Sequence, residues 1–415
     1  MVSIEQIKYK AVHSDGLIRI GEITLKSGKK IETPINWMGL SVAESIDFQH
    51  KAFKQAGVTC FLSNVYDLKY QDKKGIRREL IDKLVKDGLF HKADSGGFQL
   101  MKQEITGKKK FELNPEIVYE VQKNLPTDIG VVLDVPLGTS GNERENLKKI
   151  DKTIENFKAL LNIYDNVSDT FSILPVIHGH NSETIDYAIE KIEKVVGGPP
   201  SAIGIGSLVP MVKSVQNSGN TGGKKNFVNI IQYLRKELPN TFIHAFGIGG
   251  TMAYLAYLCG IDSIDSSGWI LKASSGVIQL PGVSDRFLNK KPHNRPHLIK
   301  NRKIRGTKRI LDEIDLFMKC QCPICIKYCK DGNWSQKDWD KKRYDFDQYT
   351  EESRMKRVIH NLWLYQNELK LIKEAIKRKN IIEFIELRLQ NSIYKTMVQD
   401  IIEKDKDQTN LTDFC

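Results

Sequence analysis

The sequence lacks what a membrane protein needs. Its 415 residues contain no run of 18 apolar residues, which excludes a single bilayer-spanning helix. The opening MVSIEQIKYK has no apolar segment of the kind a secretory leader carries, so the chain is expected to be cytoplasmic. Cysteine is scarce. Of seven cysteines, four (Cys320, Cys322, Cys325 and Cys329) crowd into one short stretch. That distribution argues against a disulfide framework and for metal ligation in a reducing compartment. No internal repeat is visible, which excludes a solenoid. Acidic residues are the minority, 51 against 63 Lys and Arg, leaving a net charge of +12. Such a balance favours a polyanionic partner, most simply nucleic acid. The competing explanation is a Lys-rich composition that inflates the charge without a partner.

What is present is a rhythm. Apolar runs with strand character alternate with amphipathic helical segments from about residue 45 onward. Strands are expected at Val58–Ser63, Leu89–Asp94, Ile129–Val135, Phe171–Ile177, Ser201–Leu208, Thr241–Phe246 and from Ile261. Helices are expected near Ser45–Ala56, Ile76–Asp87, Pro115–Asn124, Glu143–Tyr164, Glu183–Val196, Phe227–Leu238 and Met252–Cys259. This alternation predicts βαβ units and a parallel sheet. The α/β arrangement expected is a (β/α)8 TIM barrel, with a doubly wound sheet as runner-up. Nearly every strand ends in a polar or glycine signature: Asn64, Asp94, Asp134, His178, Gly206-Ser207, Gly247 and Asp265. A barrel gathers all strand ends at one mouth, whereas an open sheet concentrates its signals at one switch point. The expected division is a catalytic barrel with N-terminal strands over 1–284, a basic and zinc-binding subdomain over 285–380, and a helical tail over 381–415. Val212–Lys225 is expected to be a polar, glycine-rich loop.

The stretch HKADSGGFQL, residues 91–100, sets an acid, a two-glycine turn, an aromatic and an amide in sequence. Glycines let backbone approach a flat ligand, Phe98 can stack on it and Gln99 can read its edge. A surface turn after a strand is the plainer reading. Asp94, Asp134 and Asp265 all stand at predicted strand ends, where burial perturbs a carboxyl group. The alternative for each is a helix cap or an Asx turn. Cys320-Gln-Cys322-Pro-Ile-Cys325 supplies three thiolates for one tetrahedral zinc ion. His360 is the first candidate for the fourth ligand and Cys329 the rival. With four protein ligands such a site is structural.

Taken in series, HKADSGGFQL, Gly206-Ser207-Leu208, G-I-D-S-I-D ending at Asp265, and C-x-C-x-x-C followed by His360 resemble the tRNA-guanine transglycosylase family. Asn64-Val-Tyr66-Asp-Leu68 matches a further segment of that family. The resemblance implies a zinc-containing barrel that exchanges guanine in a polynucleotide for a 7-deazaguanine base, through a covalent glycosyl–enzyme intermediate. It implies Asp265 as nucleophile and Asp94 as general acid/base. Asp134 would pair with the amidine edge of the base. Phe98 and Phe246 would sandwich the ring, supported by Ser95, Gln99, Gly206 and Gly247, with backbone N–H groups around Ser207 and Leu208 on its carbonyl. A dimer through the zinc region is implied in the same way.

Three departures from that family's pattern follow, and the last two, both absences, point toward the DNA-modifying, DpdA-like branch of the superfamily. His178, in Val176-Ile177-His178-Gly179-His180, replaces an expected amide, so it is assigned to base, sugar or phosphate contact or to a structural role. SSGWILKASSG follows where the bacterial enzymes carry a proline- and arginine-containing tRNA contact, and the archaeal enzymes' extra C-terminal RNA-binding domains are not expected here. The first reading is therefore exchange of guanine in DNA for a preQ0-like base. Its rivals are the same chemistry on tRNA and a non-catalytic zinc-bearing nucleic-acid-binding subunit. Duplex DNA would call for a helicase or ATPase partner that opens it. Arg286, Lys290, Lys291, Arg302, Lys303 and Arg305, in the basic stretch Asp285–Arg309, are the candidate backbone contacts.

Overall fold

A computed structural model describes residues 7–72, 75–106, 112–138, 142–208, 222–288, 308–310 and 312–402. The strands are β1 (Ile7–Asp15), β2 (Ile18–Leu25), β3 (Lys30–Glu32), β4 (Ile35–Gly39), β5 (Cys60–Asn64), β6 (Phe90–Asp94), β7 (Ile129–Val131), β8 (Ser172–Leu174), β9 (Val176–His178), β10 (Ala202–Gly206), β11 (Phe242–Ala245), β12 (Ser263–Ser266), β13 (Val277–Leu280), β14 (Val283–Phe287) and β15 (Lys308–Arg309). The main sheet is parallel in the order β8-β7-β6-β5-β4-β12-β11-β10-β9. Its ends meet because β8 and β9 are halves of one predicted strand, Phe171–Ile177. Pro175 divides them, since proline has no N–H to give a ladder. β8 pairs with β7 and β9 with β10, so the sheet closes into the expected (β/α)8 barrel.

The antiparallel β1-β2-β3 sheet closes the floor, the amino-terminal end of the strands. There Arg19 and Arg235 converge on Asp262, just before β12. Beyond the barrel, β13, β14 and β15 form a small sheet. Ile278, Leu280, Phe317, Cys322, Cys325, Trp339 and Phe346 share one apolar cluster beside it. The helix Glu351–Lys377 ties that cluster to the barrel. Its buried face carries Val358, Ile359 and Leu362, which pack with Phe48, Phe53 and Trp269 of the barrel's own helices. No described helix is long and apolar enough to cross a membrane.

Three expectations shift. The strand expected over Ile129–Val135 stops at Val131, because side chains take over the backbone partners beyond it. Gln122 Nε2 donates to the Ala93 and Val131 carbonyls, and Asn156 Nδ2 donates to Leu133 O. The chain thereby leaves the sheet and turns Asp134 toward the barrel mouth. The loop expected over Val212–Lys225 ends early, since a helix already runs over Gly222–Glu237. Its first part lies outside the described residues. So does most of the basic stretch, including Lys290, Lys291, Arg302, Lys303 and Arg305. Arg286 is described, on β14. It is only 6% exposed and pairs with Glu313, which corrects its assignment as a surface contact to a polynucleotide.

Candidate active site

β6 places two ionisable side chains on the same face, because side chains alternate along a strand. Lys92 and Asp94 both point into the barrel, while His91 points out, stacks on Phe61 and bonds Ser63. Asp94 ends the strand opposite Asn64 of β5, and Asn64 Nδ2 donates to Asp94 Oδ2 at 2.9 Å. The chain then turns through Ser95-Gly96-Gly97 into the helix Gly97–Thr106. Gly96 has φ +95°, a conformation side chains avoid, and a Cβ there would lie 2.8 Å from Tyr66. A Cβ on Gly97 would lie 2.2 Å from Asp134 Oδ1. The glycines thus let the site's own parts close together, and Gly97 in particular makes room for Asp134.

Asp265, on β12, is held on both oxygens. Gly247 N–H donates to Oδ1 at 2.6 Å. Lys92 Nζ donates to Oδ2 at 2.9 Å, and His244 Nε2 lies 3.1 Å from the same oxygen. The histidine's orientation is fixed from behind. Trp37 Nε1–H donates to Ser263 Oγ, which lies 2.9 Å from His244 Nδ1. His244 Nε2 faces both Asp265 Oδ2 and Lys92 Nζ. Burial, and after it the charge of Lys92, pulls the His244 imidazole down to about 4, so it is neutral near pH 7. Burial lowers the Lys92 ammonium from its usual value, while the charges of Asp265 and Asp94 oppose that fall, and Lys92 is the cation of the cluster.

The two carboxylates have opposite proton affinities. Burial pushes Asp94 up to about 7, and the negative charges of Asp265 and Asp134 add to the rise. Burial acts in the same sense on Asp265 but is overcome: the Lys92 charge and the His244 hydrogen bond hold it well below the usual carboxylate range. Near neutrality one acid is permanently ionised and the other is poised to give or take a proton. Such a split is how two carboxyl groups come to hold different roles in one site.

Asp134 forms the third wall. Its Oδ1 accepts from Ser95 Oγ at 3.1 Å. Its Oδ2 lies 3.3 Å from His178 Nε2, close enough for attraction but off the line of a hydrogen bond. His178 is fixed by a relay in which Leu137 N–H donates to Ser207 Oγ, itself 2.9 Å from His178 Nδ1. Ser207 adopts φ +65° to do so. The His178 side chain has no exposed surface, and Gly206 leaves room for its ring. This corrects the sugar or phosphate assignment: His178 stands behind the pocket and backs Asp134. Leu208 is likewise fully buried.

The remaining predicted residues divide. Phe246 is half-buried, meets His244 edge-on and packs over Gly204, whose Cβ would strike its ring. Lys92 Nζ sits 5.0 Å from its centre. Phe98 is 46% exposed at the start of its helix. The Gln99 side-chain oxygen is buried and accepts no hydrogen bond among the described residues. A buried acceptor without a donor is costly, and a bound ring with N–H edges would supply one. Lys92 and His244 were missed from sequence. The one available signal was that Lys92 stands two positions before Asp94 and so shares its strand face.

Apart from this group, the side-chain atoms of Cys320, Cys322, Cys325 and His360 lie within 4.8 Å of one another. Cys329 is buried but is not one of the four. His360 Nδ1 lies 3.4, 3.7 and 3.5 Å from the three sulfurs. A tetrahedral ion with bonds of about 2.3 Å to sulfur and about 2.0 Å to nitrogen would separate such ligands by about 3.5 Å. His360 Nε2 donates to Gln279 O at 2.8 Å, which leaves Nδ1 free to ligate. The cluster can therefore hold a metal ion.

Comparison with known proteins agrees with this geometry. A family model described as queuine tRNA-ribosyltransferase matches residues 15–393. A tRNA-guanine(15) transglycosylase of Pyrococcus furiosus is 26% identical over 395 residues, covering 92% of this chain and 56% of its own length. One from Thermococcus onnurineus is 26% identical and covers 99% of this chain and 62% of its own. One from Archaeoglobus fulgidus is 25% identical, at 92% and 68%. The chain spans little more than half the length of the first of these relatives.

Proposed function

The chain belongs to the tRNA-guanine transglycosylase family, and on that premise we propose that it exchanges a guanine of tRNA for a 7-deazaguanine base through a covalent glycosyl ester of Asp265. The observation that carries this reading is the carboxylate pair of opposite proton affinity, Asp265 fixed as an anion and Asp94 poised near pH 7. Asp265 attacks the sugar's anomeric carbon as the C1′–N bond of guanine breaks. Asp94 gives its proton to the departing ring, then takes one from the incoming base. Asp134 and Gln99 pair with the polar edge of the ring, and Phe98 and Phe246 offer their faces to it. The Cys320, Cys322, Cys325 and His360 site holds a structural zinc ion. With four protein ligands, it contributes folding and not chemistry.

The expectation from sequence placed DNA first. The relatives just described are named for tRNA instead, so tRNA takes that place. One incubation series separates the polymers. The protein is mixed with 7-cyano-7-deazaguanine and bulk tRNA, single-stranded DNA or duplex DNA, and the digested polymer is weighed for the modified nucleoside. A ribonucleoside product is expected. A deoxynucleoside product would return the assignment to DNA. No product with any polymer would remove the enzymatic reading.

A further inference from the structure

A buried lysine in contact with the nucleophile is a feature that the exchange reaction does not by itself demand. Lys92 is 1% exposed, with Nζ enclosed by Asp265 Oδ2, His244 Nε2 and the rings of Phe246 and Trp37. The groups facing Asp265 are Lys92 from β6, His244 from β11, Gly247 N–H beyond β11, and Asp94 across the mouth. Lys92 is the one full positive charge among them.

We propose that Lys92 is a positioning residue that holds the reaction's single negative charge on Asp265 and thereby keeps the covalent intermediate short-lived. The inference rests on Asp265 being the nucleophile. The charge is conserved through both half-reactions. At the start Asp265 is anionic and Asp94 protonated. In the first half the C1′–O bond to Asp265 forms and the C1′–N bond breaks. Its electron pair leaves with the base, and the base takes the Asp94 proton. The anion now lies on Asp94. In the second half the incoming base gives a proton to Asp94, its nitrogen bonds C1′, and the ester electron pair returns to Asp265. Lys92 touches Asp265 directly, whereas Asp94 is bonded to Asn64. The ammonium therefore favours the state with the free Asp265 carboxylate, which makes that carboxylate the better leaving group. Clamping of Oδ2 also leaves Oδ1, with its single backbone donor, as the oxygen that attacks.

The test compares wild type with Lys92→Met, which keeps the length and removes the charge. Exchange of labelled guanine into tRNA is followed across pH 5–9, and protein–tRNA adduct is measured on denaturing gels. Lys92→Met is expected to raise the steady-state adduct fraction about tenfold and to move the acid limb of the exchange rate up by about two pH units. An unchanged adduct fraction with an unchanged acid limb overturns the proposal. Exchange that survives in Asp265→Asn overturns the nucleophile assignment itself, and the two failures are thus distinguishable. The unsubstituted protein gives an independent reading if Lys92→Met does not fold. The Asp265 carboxyl ¹³C signal, assigned by its loss in Asp265→Asn, is expected to stay constant down to pH 4. A titration midpoint above pH 5 would overturn the proposal.

Discussion

Two buried aspartates stand three residues apart at opposite ends of one strand, and their surroundings differ in kind. Asp262, at the floor, has no exposure. Arg19 and Arg235 donate to it at 3.0 and 2.7 Å, Tyr9 OH at 2.9 Å and Ile243 N–H at 2.8 Å. Every donor is fixed and none faces a ligand. Asp265, at the mouth, has one cation, one neutral imidazole and one backbone N–H, and it keeps 8% exposure. At the same mouth, the Gln99 oxygen on the helix after β6 has no partner among the described residues. A closed charge network serves stability, whereas one left open on a single side can do chemistry. The same residue type on the same strand thus has two uses, decided by whether its last contacts come from the fold or from a substrate.

The sharpest break of that comparison is a pair of substitutions. Asp265→Asn should lower base exchange by about three orders of magnitude or more while metal content and melting temperature hold. Asp262→Asn should do the reverse. It strands two buried guanidinium groups, costs about 3 kcal/mol or more of stability, and leaves whatever protein still folds with its exchange rate. Denaturant melts and labelled-guanine exchange read both.

Asp94→Asn should cost about 10²–10⁴ in rate, the usual worth of a positioned acid and base. It carries a stability signature as well. The folded carboxyl titrates at about 7, above its unfolded value of about 4. Between those values the folded chain holds a proton the unfolded chain has lost, so this group's contribution to stability falls as pH rises through that window. Asp94→Asn should therefore melt above wild type at pH 8 and lose that advantage by pH 4.

Much of this contrast was legible in the sequence, but only one side of it. The barrel showed because runs with strand character alternate with amphipathic helical segments along the chain. The acids Asp94 and Asp265 showed because each stands at an expected strand end. The cysteine cluster showed because three thiols at that spacing have few other uses. What stayed hidden is pairing across the ring. Lys92 and Asp265 are separated by 173 residues, and nothing in β6 alone says that its lysine points toward an acid on β12, six strands further along the chain. The Asp262 network, with Arg19 and Arg235, was invisible for the same reason. Pro175 was in plain view, yet only the closed sheet reveals that it divides a strand between two neighbours. His178 read as either a ligand contact or a structural residue because its terminal position says where the residue lies and not which way its ring faces.

Two smaller effects sharpen the picture. Cys322→Ser, or prolonged chelation, should lower the melting temperature and release about one equivalent of zinc, with exchange lost only in proportion to unfolding. Metal analysis beside calorimetry tests this. Gly97→Ala should weaken base binding by about tenfold and lower stability as well, because its Cβ would press on Asp134 at both Oδ1 (2.2 Å) and the backbone oxygen (2.3 Å). KM for the free base is expected to rise more than kcat falls.

The most direct test of the central claim is the mass of the protein caught during turnover. Wild type mixed with tRNA and quenched in acid should carry a nucleotide adduct on the peptide containing Asp265, and Asp265→Asn should carry none. An adduct mapped to another residue, or rapid exchange with no adduct at any time point, would contradict the account.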